Sequence, residues 1–101
     1  MTIEELDARL DAERVVEMPA AQWTRLAPAV KEIERHATGL AGDLLIVRSA
    51  GGLAAVEQPA PDARVVRRLA NAAEARALVS RRLETYDKMW DGCGCKIDYR
   101  D

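Results

Sequence analysis

Leu44-Leu45-Ile46-Val47-Arg48-Ser49-Ala50-Gly51-Gly52-Leu53-Ala54-Ala55-Val56 decides how this chain folds. Two aliphatic runs flank a Gly-Gly pair. Glycine adopts the positive φ of a tight hairpin turn without steric cost, so the stretch predicts two antiparallel strands. Pro59 and Pro61 read as the end of the second strand. A lone hairpin is marginal in water, so helices or a third strand must cover it.

Working outward toward the N-terminus, Thr2-x-x-Glu5 fits a capping box opening a first helix, with Ile3, Leu6 and Leu10 as its apolar stripe. Val15 and Val16 before Pro19 suit a brief edge strand. Trp23, Leu26, Ala27, Val30, Ile33 and Ala37 fall at helical spacing and predict a second helix. Pro28 then lies in its first turn or at a kink, and Gly39 stops it.

Toward the C-terminus, Asp62 reads as the cap of a helix carrying Val65, Val66 and Leu69. Ala75, Leu78, Val79, Leu83, Tyr86 and Trp90 form one stripe on a long C-terminal helix running from about Asn71 to Asp91, with Gly92 as its stop. Ile97 and Tyr99 alternate with polar neighbours and suit a third strand. The expected fold class is α+β: a small single domain in which an antiparallel β-hairpin, or a three-stranded sheet, is covered by two or three helices. The 101 residues suit one domain, 1–101, in which 92–101 is a cysteine-containing C-terminal tail.

Apolar residues make up 49% of the chain and charged residues 32%, a globular rather than a disordered balance. There is no Phe, so Trp23, Trp90, Tyr86 and Tyr99 are the only aromatics. A net charge of −2 argues against coating nucleic acid by bulk charge. The charge is uneven: residues 1–37 carry five basic and eight acidic groups, whereas residues 62–88 carry seven basic and four acidic. No apolar run approaches the roughly 20 residues that span a bilayer. Met1-Thr2-Ile3-Glu4-Glu5 lacks the pattern of a secretory signal. The expectation is therefore a cytoplasmic protein without membrane contact, whose thiols are kept reduced.

In that setting two cysteines one residue apart point to metal or redox chemistry rather than a structural staple. Cys93-Gly94-Cys95 offers two soft thiolates suited to zinc, copper(I) or iron–sulfur iron. The intervening glycine lets the backbone turn so that both sulfurs reach one ion. A closed tetrahedral site needs four ligands. Asp91, His36 and Asp98 are the donors available in the chain, and the two cysteines of a symmetry mate are the alternative. The same pair also suits a dithiol–disulfide couple, with Lys96 as a neighbouring cation. The plain alternative is two small thiols packed beside Trp90.

Other features divide between structure and function. Tyr86 and Trp90 lie four residues apart on one helical face and suit either the core or a contact surface. His36, the only histidine, reads as a charge at a helix end or as a ligand. Arg64, Arg67, Arg68, Arg76, Arg81 and Arg82 form either a docking stripe or a solvated face, with Arg81 and Arg82 the positions on which docking would depend. Ala50-Gly51-Gly52 lacks the Lys-Ser/Thr of a phosphate loop, and no spacing spells a catalytic triad.

These observations favour a non-enzyme. The leading expectation is a small accessory or adaptor protein that binds a metal ion, zinc first, through Cys93 and Cys95, with the site completed by a homodimer or a partner protein. The alternatives are a thiol–disulfide redox protein using the same pair, and a metal-free protein–protein interaction module.

Overall fold

The computed structural model describes residues 1–37 and 42–92, with the side chains of 1–37 and 42–85. The chain runs α1 (Ile3–Glu13), β1 (Val15–Pro19), α2 (Ala20–Leu26), a 3-10 turn (Ala27–Ala29), β2 (Lys31–His36), β3 (Leu44–Ser49), β4 (Gly52–Ala60), β5 (Ala63–Leu69) and α3 (Ala72–Gly92). The class is α+β, with one five-stranded antiparallel sheet in the order β1-β5-β4-β3-β2. The hairpin at Gly51-Gly52 is therefore the centre of a larger sheet, and the expectation of two or three strands is corrected to five among the described residues.

Each element follows from local chemistry. Thr2 caps α1 by accepting from the Glu5 N–H at 3.2 Å. Gly52 sits at φ 127° in the β3–β4 turn, a conformation that suits glycine. Asn71 caps α3 by accepting from the Glu74 N–H at 2.9 Å.

Two segments expected to be helical are strands. The pattern from Trp23 to Ala37 holds only as far as α2 and the 3-10 turn, where Pro28 ends the regular helix. Lys31–His36 then becomes an edge strand, so His36 closes a strand rather than a helix. Asp62 opens no helix, because Ala63–Leu69 pairs with both β1 and β4. Pro59 does not end β4, which reaches Ala60 with a register shift after Glu57. The strand expected around Ile97 and Tyr99 lies outside the described residues.

The two sheet faces are covered unequally. On the first face, Val16, Met18, Val66, Ala54, Val56, Leu45 and Val47 pack under Leu6 and Leu10 of α1 and Trp23 and Leu26 of α2. On the second, Leu44, Ile46, Ala55 and Leu69 pack under Ala75 and Leu78 of α3, with Leu53 and Val79 at the margin. Helices on both faces bury Leu44, Leu45, Ile46 and Val47 together. That double cover explains why the deciding stretch is a continuous aliphatic run rather than an alternating one. Burying each Leu or Ile contributes about 1.5–3 kcal/mol.

Five strands at a spacing of about 4.8 Å make a sheet about 19 Å wide. A single helix is about 10 Å across. Packed against β4 and β5 in the middle of the sheet, α3 leaves both flanks of the second face open.

Candidate functional site

Along the β1–β5 flank, Val15, Leu44, Pro59 and Val65 form the apolar part of a groove of about 300 Å³, bordered by Glu17, Asp43, Glu57 and Arg67. Glu57 closes its α3 side by accepting two hydrogen bonds from Arg82, at 2.6 and 3.2 Å. Those bonds raise the Arg82 guanidinium above its ordinary range, against the opposing effect of its partial burial. Arg67 Nε lies 4.0 Å from the same carboxylate, with no aligned hydrogen bond.

Along the β2 flank, a second groove runs between α3 and the edge strand. Near the start of α3 it is lined by Ile33, Ile46, Leu53, Ala72 and Ala75, with Glu34, Arg48 and Arg76 at the rim, and holds about 150 Å³. Further along, Glu34, His36, Arg76, Val79 and Ser80 line about 180 Å³ more. A bulge in β2 leaves Ile33 without a partner across from β3, and this apolar side chain is 42% exposed. His36 Nε2 lies 3.4 Å from Glu34 Oε1 without hydrogen-bond alignment.

A third polar cluster ties the first face together. Arg68 is 5% exposed and donates to Asp7 Oδ1 at 2.8 Å and to the Leu53 carbonyl at 3.3 Å. Asp7 also accepts from Ser49 Oγ at 2.6 Å and from the Gly51 N–H at 3.2 Å. Asp11 faces Arg68 Nε at 3.4 Å. A Cβ on Gly51 would meet Asp7 Cγ at 2.6 Å, so glycine is needed for this approach. The cluster clamps α1 to the β3–β4 turn and to β5. With its polar atoms turned on one another, it works as a structural staple.

The residues singled out in the sequence are spread over the molecule. Cys93, Cys95 and Asp98 lie outside the described residues. Tyr86, Trp90 and Asp91 lie on the described backbone of α3, but their side chains lie outside the described set. Arg81 is exposed on α3, while Arg82 is engaged by Glu57. His36 lines the same groove as Ser80, and Gly92 is twelve residues further along α3. At a rise of 1.5 Å per residue that separation is about 18 Å. Among the described residues no group of three His, Cys, Asp or Glu side chains could hold a metal ion.

Sequence reading missed the two grooves and the Asp7–Arg68 clamp. Their partners are brought together by the sheet, across separations of 61 positions for Asp7 and Arg68 and 25 for Glu57 and Arg82. The available signal was alternation in Val65-Val66-Arg67-Arg68, which puts Arg68 on the face of buried Val66 once the segment is read as a strand. No helix among the described residues is long and apolar enough to cross a membrane. In comparisons with known proteins, no family model, no curated protein and no solved structure matches this chain.

Proposed function

We propose that this chain is a small accessory protein that holds a zinc ion through Cys93 and Cys95, with the remaining two ligands supplied by the same cysteines of a second copy. The observation that carries the reading is the course of α3. Among the described side chains its last ion pair with the sheet is Arg82–Glu57, and the helix continues to Gly92, the residue before Cys93. Ten further residues of helix carry the chain about 15 Å past that contact. A Cys-Gly-Cys pair at the end of such a helix meets its symmetry mate more readily than donors in its own sheet. The distance along α3 between Gly92 and the groove holding His36 favours a second chain over His36 as the source of the missing ligands. Four thiolates in tetrahedral array are a common structural zinc set, and a reducing cytoplasm would keep them available.

The test is elemental analysis with a free-thiol count on the intact chain, purified without chelator. The expected result is about half a zinc per chain, lost in the Cys93→Ser/Cys95→Ser variant. A Cys93–Cys95 disulfide without metal would replace this reading with the redox one. Free thiols without metal would leave an interaction module.

A further inference from the structure

We propose that the groove between α3 and β2 is a docking site for an acidic, extended segment of a partner protein. The proposal is independent of the thiols. It rests on the charges around the groove and on the apolar surface between them. Lys31 stands directly opposite Arg48 in the β2–β3 ladder, and Arg76 lines the groove from α3. All three are exposed, and none of their side chains makes an ion pair or hydrogen bond among the described residues. Like charges directly across a sheet destabilise it. Four other arginines are neutralised locally, Arg9 by Glu13, Arg35 by Glu32 and Asp43, Arg68 by Asp7 and Arg82 by Glu57, whereas here two unpaired cations face each other across one ladder. With Lys31, Arg48 and Arg76 set against Glu34 alone, the surround of this groove is net cationic in a chain of net charge −2, and is complementary to carboxylates from outside.

Between the cations, Ile33, Ile46, Leu53 and Ala75 offer an apolar floor. From Ala72 to Ser80 the groove follows α3 for about 12 Å, the length of roughly four extended residues. The occupant therefore carries alternating acidic and aliphatic side chains. Nucleic acid fits less well: among the described residues no aromatic lines the groove for base stacking, and Glu34 stands at the rim. Strand addition by a second copy is opposed by the bulge at Ile33, a device that blunts sheet edges.

The test titrates the ¹⁵N-labelled full chain with a capped hexapeptide alternating glutamate and leucine, with a lysine–leucine peptide as control. The expected result is saturable shifts at Ile33, Ile46, Arg48, Leu53 and Arg76, weakened by salt and absent with the control. Arg48→Glu with Arg76→Glu should weaken binding by about tenfold or more. Arg48→Glu faces Lys31 and is expected to leave the fold intact; Ile33→Ser at an exposed position provides a second variant with the same expected weakening. Absence of saturable binding, equal binding of the lysine peptide, or shifts centred on Val15 and Val65 would overturn the proposal. So would tighter binding of a thymidine oligonucleotide, or concentration-dependent shifts of the same residues without peptide.

Discussion

Burial alone would raise the Asp7 carboxyl above its ordinary value of 3.8, but hydrogen bonds from Ser49, Arg68 and the Gly51 N–H, with the charge of Arg68, hold it lower. The folded protein thus binds this proton less readily than the unfolded chain. The stability it contributes is present above the ordinary carboxylate value and is lost as pH falls through the lowered one. Asp7→Ala leaves Arg68 buried beside Asp11 alone and is expected to cost about 3 kcal/mol at neutral pH. Urea titrations should also show a smaller loss of stability below about pH 4 in the variant than in the parent chain. An unchanged urea midpoint would mean that the clamp carries no net stability. Arg68 itself explains why β5 was hard to read. A charge on the buried face breaks the period of two, so Ala63–Leu69 looked like a helix segment.

At the scale of elements, legibility followed how much of each segment is buried. The β3–β4 hairpin was readable because Leu44–Val47 and Ala54–Val56 are buried and flank a Gly-Gly turn. Helix α1 was readable from its cap. Strand β2 was not: Lys31–Arg35 are all exposed, so no apolar alternation marks it. Trp23 and Leu26 supplied a true helical repeat that Val30 and Ile33 continued by coincidence past Pro28. Asn71 read in sequence as the approximate start of the long helix, and its exact role depends on where β5 stops. With β5 ending at Leu69, it is the N-cap of α3. Asn71→Ala is expected to lower stability by about 1 kcal/mol in urea unfolding, and Asn71→Ser to restore most of it. Equal stability of parent and alanine variant would show the cap to be dispensable.

Over the whole molecule, the unequal cover of the two faces connects fold to function. Two helices fill the first face, whereas one helix leaves a groove on either side of itself on the second. That helix also carries the chain ten residues beyond the Arg82–Glu57 ion pair, to the residue before the cysteine pair. The α+β class was legible from the hairpin and the helical stripes. The grooves were not, because they depend on a strand order that puts β1 and β2 at opposite edges of the sheet. The candidate metal ligands rest on residue type and spacing, and their most direct test is stoichiometry. Native mass spectrometry of the intact chain with added zinc should yield two chains bound to one metal ion, reverting to single chains with Cys93→Ser/Cys95→Ser. A single metal-free chain at every zinc and protein concentration would contradict a metal centre shared between copies.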